Sequence, residues 1–131
     1  MEYFYGEYLI SDDKSKIISG EVKKLLSTSY WAKDRDEEII KKTIANSHCI
    51  GVYFEKCQVG FARIVTDYAV YAWIADVIID KEHREKGLGK KIIEFIQNIP
   101  EIPKTTQMLR TQDAHSLYEK YGFKKCECMS K

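Results

Sequence analysis

The sequence predicts a mixed α/β protein, in which helices pack on a β-sheet in one domain spanning residues 1–131. Apolar, strand-like runs concentrate between residues 49 and 79, and the segments before and after them carry apolar residues at helical spacing. At residue 80 the apolar run Trp73 to Ile79 changes abruptly to a glycine-bearing turn and then to a helical pattern. A chain of 131 residues is long enough to bury one substantial core.

The elements follow the order β-α-α-β-β-β-α-β-α-β. Helix starts are predicted where Asp or Ser can cap the first turn, and helix ends where Gly or Pro interrupts the apolar period. Strands are predicted where short apolar or alternating runs lie between turn residues. In order, the predicted elements are a strand at 3–10, a helix from 13 or 15 to about 26, a helix from 34 or 36 to 46 or 47, strands at 49–54, 59–65 and 70–79, a helix at 87–99, a strand at 105–110, a helix at 114–121 and a strand at 123–129.

Composition and charge exclude several classes of protein. Hydrophobic residues make up 44% and charged residues 31%, which is typical of a folded globular chain and not of a disordered one. The formal net charge of +1 argues against a nucleic-acid partner, since such domains are usually distinctly basic. Neither a signal peptide nor an apolar run of membrane-spanning length is visible, so we expect a cytoplasmic protein with no membrane partner.

The cysteines and histidines do not show the spacing of a metal site. Cys126 and Cys128 alternate as on one face of a strand, and no C-x-x-C pair occurs among them or with Cys49 and Cys57. We expect all four cysteines to be reduced, half-buried strand residues. No metal is predicted.

The stretch from Asp80 to Phe95, D-K-E-H-R-E-K-G-L-G-K-K-I-I-E-F, is the most informative in the chain. A helix N-terminus offers unpaired N–H groups and the positive end of its dipole, and Gly87 and Gly89 allow the backbone to approach a ligand closely. The stretch therefore predicts a phosphate site, although a basic helix cap with no ligand is the alternative. Within residues 81–91 basic residues outnumber acidic ones, with Lys81, Arg84, Lys86, Lys90 and Lys91 against Glu82 and Glu85.

Two motifs in this chain resemble those of the GNAT superfamily of N-acetyltransferases. Arg84, Gly87 and Gly89 match its pyrophosphate signature R-x-x-G-x-G, and residues 114–123 resemble its A-x-x-L-Y-x-x-x-G-F pattern. Residues 59–68 and 75–77 are also similar to a small, poorly characterised GNAT subgroup. The resemblance implies a mixed, mostly antiparallel sheet flanked by helices, with one parallel strand pair that splays apart.

The resemblance implies acetyl-CoA as co-substrate, bound where the parallel strands separate. The backbone of the first parallel strand would hold the pantetheine arm, and the N–H groups of the turn would bind the pyrophosphate. Thr111 is a departure, since many members carry asparagine there to contact CoA. The implied cofactor-binding residues are Val77, Ile78, Ile79, Arg84, Glu85, Lys86, Gly87, Leu88, Gly89, Lys90 and Thr111.

The resemblance also implies catalytic residues. Tyr118 matches the family tyrosine that serves as general acid toward the CoA sulfur, with a tyrosine packing on the core as the alternative. Asp76 is a candidate general base, since on an alternating strand it faces opposite Val77. A buried carboxylate bonded to neighbouring backbone or to Arg63 is its alternative. Weaker candidates for the base are Asp67, Asp113 and His115.

The acceptor site is expected to be built by the loop between the first two helices and by the turn after Val65. Aromatic rings with a few charges suit a small amine, because a cation is attracted to an aromatic face. Ordinary core and rim packing is the alternative for each residue. The candidates are Tyr30, Trp31, Arg35, Asp67, Tyr68 and Tyr71.

The predicted function is acetyl transfer from acetyl-CoA to a primary amine, by a monomer or homodimer. The acceptor could be a polyamine, an amino acid, an antibiotic or a protein amine. A non-catalytic CoA-binding sensor or interaction module is the alternative function. Tyr118 favours the enzyme.

Overall fold

The computed structural model describes residues 1–131, and its centre is a six-stranded sheet in the order β1-β2-β3-β4-β5-β6. All neighbouring strands are antiparallel except β5 and β6, which are parallel. The mixed sheet and its flanking helices confirm the predicted fold class. The elements are β1 (Glu2–Tyr5), β2 (Tyr8–Ser11), α1 (Ser19–Leu26), α2 (Glu37–Ala45), β3 (His48–Phe54), β4 (Cys57–Thr66), β5 (Tyr71–Ile79), α3 (Leu88–Gln97), β6 (Thr106–Leu109) and α4 (His115–Glu119), with short 3₁₀ turns at Lys14–Lys16, Lys81–His83 and Ile102–Lys104.

The single opening strand predicted at 3–10 is wrong, because the segment forms the hairpin β1–β2. Tyr5 pairs with Tyr8, and Gly6 between them has φ +60, a left-handed conformation that glycine adopts without strain. The apolar run therefore reverses direction at Gly6. Two tyrosines of this hairpin also donate hydrogen bonds, one to the segment between β5 and α3 and one to α3 itself.

The first helix also starts later than predicted. Asp13 caps only a 3₁₀ turn, with its carboxylate accepting from the Ser15 N–H at 3.0 Å. Ile17 and Ile18 are extended, so α1 begins at Ser19. By contrast α2 begins as predicted, after Asp36, whose carboxylate accepts from the Glu38 N–H at 3.2 Å.

Helices cover both faces of the sheet. On one face α1 and α2 bury Val22, Leu26 and Ile40 against Phe61 of β4. On the other face α3 packs its apolar stripe on the larger core cluster, with Leu88, Ile92, Phe95 and Ile96 buried. The apolar period of α3 was predicted from the sequence, and burying this stripe is what fixes α3 to the sheet. None of the helices has the length and apolar character that crossing a membrane requires.

The strand predicted at 123–129 does not form. Gly122, with φ +88, ends α4, and the chain beyond it has no regular secondary structure. Cys126 and Cys128 are exposed, as is Cys57, so the expectation of half-buried strand cysteines fails for all three. Charged side chains alternate with the two C-terminal cysteines, so the segment offers no large apolar face to pack. Cys49 is buried on β3, and burial raises the pKa of its thiol to about 11.

The parallel pair β5–β6 separates halfway along β5. The two strands pair only from Tyr71 to Ile74, since β6 ends at Leu109 while β5 continues to Ile79. Within the same half of β5, a β-bulge places Asp76 and Val77 opposite the single residue Ala62, and Asp76 has φ +55. The backbone of residues 75–79 is left with a free edge on the β6 side.

Candidate active site

The turn between β5 and α3 presents a row of free backbone N–H groups. None of the N–H groups from Arg84 to Lys90 donates in the hydrogen bonds of the turns and caps, and the first bond into α3 runs from the Lys91 N–H to the Gly87 carbonyl at 3.0 Å. Gly87 has φ +81 and Glu85 has φ +63, so successive N–H groups curve toward one side. Such a concave row at a helix N-terminus favours the binding of an anion, and we call residues 84–90 the phosphate turn.

The N-terminal hairpin fixes this turn. The Tyr5 hydroxyl donates to the Lys86 carbonyl at 2.8 Å, and the Tyr3 hydroxyl donates to the Lys91 carbonyl at 3.1 Å. The Lys91 ammonium lies 5.2 Å from the centre of the Tyr5 ring. A Cβ at Gly87 would lie 3.1 Å from the Tyr5 hydroxyl, a tight contact that glycine avoids. The sequence analysis missed this support, although Tyr3 and Tyr5 alternate on one face of the strand.

A cavity of about 430 Å³ extends from the phosphate turn along the free part of β5. We call it the cofactor cavity. Lys86 and Lys90 are exposed and do not line it, so any contact they make with a phosphate comes from the rim. The predicted cofactor-binding residues that line it are Val77, Ile78, Ile79, Arg84, Glu85, Gly87, Leu88 and Gly89.

Thr111 does not line the cofactor cavity, and its hydroxyl is occupied by hydrogen bonds within the chain. Its hydroxyl accepts from the Ala114 N–H at 3.0 Å and from the Asp113 N–H at 3.4 Å, which closes the turn before α4. Thr111 lies instead on a second cavity of about 570 Å³, which we call the acceptor cavity. The expectation that Thr111 contacts CoA is therefore not supported by its position.

Tyr118 lies where the two cavities meet, because it lines both of them. The side chain is buried, with 8% of the residue exposed, and its hydroxyl takes part in none of the side-chain hydrogen bonds within the chain. Burial, with a smaller contribution from the charge of Asp113, raises the pKa of Tyr118 to about 12. The hydroxyl thus stays protonated at neutral pH and is free to donate a hydrogen bond to a ligand.

Three side chains donate hydrogen bonds to the Asp76 carboxylate. Its carboxylate accepts from Arg63 Nε at 2.6 Å and Arg35 Nη1 at 2.7 Å, and from Trp31 Nε1 at 2.9 Å. Burial alone would raise the pKa of Asp76, but the hydrogen bonds and charges of the two arginines outweigh it and hold the pKa below its usual value. These contacts are those of the alternative, a buried carboxylate bonded to Arg63, and the assignment of Asp76 as the base stays a prediction.

The Asp76 cluster ties the loop between α1 and α2 to the sheet. We expect Asp76→Asn to lower the free energy of unfolding by about 3 kcal/mol, since it leaves two guanidinium groups without a counter-charge in a partly buried site. Because the pKa of Asp76 is lowered by folding, its contribution is present above about pH 4 and is lost as the pH falls through the folded pKa.

Urea unfolding at pH 7 and pH 3 measures this effect. Asp34→Asn is the matched control, because Asp34 is exposed in the same loop and its side chain makes no hydrogen bond or ion pair. Equal stability of Asp76→Asn and Asp34→Asn at pH 7 would contradict the role of the cluster.

Only some of the predicted acceptor-binding residues line the acceptor cavity. Tyr30, Trp31 and Arg35 line it, and the Tyr30 hydroxyl accepts from the Gln112 N–H at 3.3 Å, which brings the α1–α2 loop against the β6–α4 loop. Three further residues that line it, Trp73, Arg110 and Asp113, were not proposed as acceptor residues from the sequence. In the sequence, Trp73 lies in the paired half of β5, and Arg110 and Asp113 lie in the segment between β6 and α4.

Asp67 and Tyr68 do not line either cavity, and neither does Tyr71. The Asp67 carboxylate accepts from the N–H groups of Ala69, Val70 and Tyr71 at 2.8–3.1 Å, which closes the β4–β5 turn. The Tyr68 hydroxyl lies 3.0 Å from His48 Nδ1. The prediction that Asp67 and Tyr68 bind the acceptor is corrected, because the β4–β5 turn lies beyond the paired end of β5 and away from its free edge.

An anion-binding turn, a free strand edge and a tyrosine hydroxyl between two cavities define an enzyme that brings together two substrates, one of which carries phosphate. The chain holds no group of three or more His, Cys, Asp or Glu side chains arranged for a metal ion.

Comparisons with known proteins agree with this class. The Acetyltransferase (GNAT) domain family matches residues 45–125. A crystal structure from Xanthomonas campestris pv. campestris, assigned to the GNAT family, is 33% identical with a TM-score of 0.88, covering 94% of this chain and 88% of that one. A Gibberella zeae protein described as an acetyltransferase is 24% identical, over 91% of this chain and 80% of its own length. A GNAT acetyltransferase structure from Elizabethkingia anophelis, with acetyl-CoA bound, is 15% identical with a TM-score of 0.70, covering 94% of this chain and 80% of that one.

The chain belongs to the GNAT acetyltransferase family. It is an acetyl-CoA-dependent N-acetyltransferase, which uses acetyl-CoA as co-substrate and an amine as acceptor. The comparisons favour this enzyme over a CoA-binding module without turnover.

Proposed function

We propose that this N-acetyltransferase transfers the acetyl group directly to a small primary amine at Tyr118, with acetyl-CoA in the cofactor cavity and the amine in the acceptor cavity. The observation that carries the proposal is that Tyr118 and Val77 line both cavities. Reactants that enter from the two sides would meet there without passing through solvent. Because this one chain lines both cavities, we also propose that residues 1–131 act as a single domain, as a monomer or a homodimer.

The residues present fit two polar parts of acetyl-CoA, the pyrophosphate and the pantetheine arm. The free N–H groups from Arg84 to Lys90 match a pyrophosphate, and the unpaired edge of residues 75–79 matches the amide-containing pantetheine arm. Fixed N–H dipoles bind charge with little reorganisation. Acetyl-CoA supplies the activated acetyl group as a thioester.

Tyr118 contributes a hydrogen bond to the leaving sulfur. A hydroxyl with a pKa of about 12 is a weaker acid than a thiol, whose pKa is about 8.5 when cysteine is taken as the example. Complete proton transfer from Tyr118 to the thiolate is therefore unfavourable. What the residue offers is a protonated donor, fixed by burial, that stabilises negative charge as it develops on sulfur.

The arrangement of the two cavities supports direct transfer. No cysteine lines either the cofactor cavity or the acceptor cavity, so neither presents a thiol to carry the acetyl group. Holding two reactants in one place accounts for a large part of the acceleration of such a reaction.

A thiol-release assay with acetyl-CoA across a panel of primary amines tests the proposal. We expect CoA release that depends on the amine and a matching amount of N-acetylated product by mass spectrometry. Release at the same rate with and without amine would show hydrolysis and contradict the proposal.

Arg84 is expected to contribute part of the CoA affinity. In the structure its Nε donates to the Ile79 carbonyl at 3.1 Å, so its guanidinium is held over the phosphate turn while its other N–H groups remain free. Arg84→Ala should weaken the binding free energy of CoA by roughly 0.5–3 kcal/mol, which raises the dissociation constant. It should also make the dissociation constant depend less on salt. Titration calorimetry at low and high salt measures both, with Lys42→Gln on the exposed side of α2 as the control. An unchanged dissociation constant would exclude Arg84 from the phosphate site.

A further inference from the structure

The charges on the acceptor cavity are not balanced. Its lining includes the guanidinium groups of Arg35, Arg63 and Arg110 and the carboxylates of Asp76 and Asp113, which leaves a surplus of one positive charge. Asp76 is already shared between Arg35 and Arg63. A substrate entering this cavity therefore meets a positive charge that no carboxylate of the chain compensates.

Two charged side chains on this cavity have no partner within the chain. Neither the Arg110 guanidinium nor the Asp113 carboxylate takes part in a hydrogen bond or an ion pair, whereas Asp76, Arg35 and Arg63 are all engaged. Arg110 and Asp113 are therefore the two charges that can bind a charged substrate without first breaking a bond inside the protein.

The two free charges lie on different sides of the acceptor cavity. Asp113 also lines the cofactor cavity, together with Tyr118. Arg110 does not, and it lines instead a neighbouring cavity next to the C-terminal segment. The acceptor cavity thus has one negative group that it shares with the cofactor cavity and one positive group that it does not share with it.

We propose that the acceptor is a small primary amine that also carries an anionic group, a carboxylate or a phosphate. This inference rests on the proposed function and specifies its substrate class. The amino group lies at Asp113, beside Tyr118 and the thioester, and the anionic group lies at Arg110. The ammonium first gives a proton to solvent water, and the free amine attacks the thioester carbonyl. The C–N bond forms as the C–S bond breaks, the nitrogen releases its second proton to water, and CoA leaves as the thiolate. Tyr30, Trp31 and Trp73 contact the part of the molecule between the two charges. A guanidinium binds both carboxylate and phosphate through paired hydrogen bonds, so both chemistries fit Arg110.

The same charges reject a polyamine. A second ammonium placed at the far side of the cavity would lie next to Arg110 and near a cluster that already carries one surplus positive charge. Arg110 is exposed, but like charges held close together still disfavour binding. Of the acceptors that the sequence left open, an amino acid or an amino phosphate fits this cavity, and a polyamine does not.

Three amines of similar length separate these classes. 4-Aminobutanoate, butylamine and 1,4-diaminobutane present the same primary amine with a negative, neutral or positive far end, and 3-aminopropyl phosphate replaces the carboxylate by phosphate. We expect kcat/KM to be highest for one of the two anionic amines, about tenfold or more above butylamine, and lowest for the diamine. The ratio of the two anionic amines distinguishes carboxylate from phosphate.

Arg110→Gln tests whether Arg110 carries the preference. We expect the advantage of the anionic amines over butylamine to fall about tenfold, mainly through KM, while CoA affinity by calorimetry shows that the fold is intact. Arg110→Glu should shift the preference toward 1,4-diaminobutane. Lys42→Gln is the matched control, because it removes a positive charge from an exposed position outside the cavities.

The failure of this inference can be told apart from the failure of acetyl transfer. If butylamine or the diamine is acetylated as well as the anionic amines, or if Arg110→Gln keeps the native preference, the substrate class is wrong and the transfer proposal stands. If no amine is acetylated, amine binding to the CoA-saturated protein is measured by calorimetry and tests the proposed substrate class. Binding of 4-aminobutanoate or 3-aminopropyl phosphate but not of the diamine would support the class, and the absence of such a preference would overturn it.

Discussion

Tyr118→Phe is expected to lower kcat by about 10²–10³-fold, the usual loss when one hydrogen-bond donor to developing charge is removed. The substitution keeps the ring, which is buried and packs edge-on against Phe123 with the ring centres 5.8 Å apart. Stability and CoA affinity should therefore change little. Since the hydrogen bond matters most as charge forms on sulfur, the loss should appear in kcat and kcat/KM together.

Tyr121→Phe is the control for the same helix end. In the native protein the Tyr121 hydroxyl donates to Glu94 at 3.3 Å, and Tyr121 lines neither the cofactor cavity nor the acceptor cavity. Turnover of the variant should therefore stay within about twofold of native. Because burial raises the pKa of Tyr118 to about 12, loss of its proton should not limit the native rate below about pH 11. Native kcat in Tyr118→Phe would make Tyr118 a packing residue and remove it from the mechanism.

Gly89→Glu is expected to abolish CoA binding. Gly89 is the second residue of α3 and belongs to the row of free N–H groups, so a glutamate there adds bulk and a negative charge where the pyrophosphate would lie. The chain itself has room for a side chain, because the nearest atom to an added Cβ is Leu117 Cδ2 at 3.7 Å. A thermal-shift titration should show a folded variant whose melting temperature no longer responds to CoA.

Gly20→Glu is a matched control, since Gly20 is the second residue of α1 and an added Cβ meets nothing within 4 Å. This variant should keep the full response to CoA. Gly89→Ala, which adds bulk without charge, should bind CoA more weakly than native and more tightly than Gly89→Glu. Native CoA affinity in Gly89→Glu would place the pyrophosphate elsewhere.

The phosphate turn could be predicted from sequence because it is local. The strand, the two glycines and the apolar period of α3 lie within one continuous stretch, and helix N-termini bind anions in many folds. The position of Tyr118 followed from the family resemblance. The helix α2 and the strands β3, β4 and β5 were predictable because their periodicity and caps are likewise encoded within each segment.

Other features depend on contacts between distant segments. Asp76 is held by Trp31, Arg35 and Arg63, which come from a loop and a neighbouring strand, so no local pattern shows that its carboxylate is occupied. The bulge at Asp76 depends on how β5 pairs with β4. The strand predicted at 123–129 has the right alternation, but a strand needs a partner, and the structure pairs β6 only with β5.

A single-turnover experiment tests the central claim of direct transfer between the two cavities. The protein is mixed with a stoichiometric amount of acetyl-CoA and an excess of its best amine, and free thiol, N-acetyl amine and intact protein mass are followed together. The account predicts that thiol and N-acetyl amine appear at one rate while the protein mass stays unchanged. Thiol release that precedes the amide, with an acetyl group found on the protein, would contradict it.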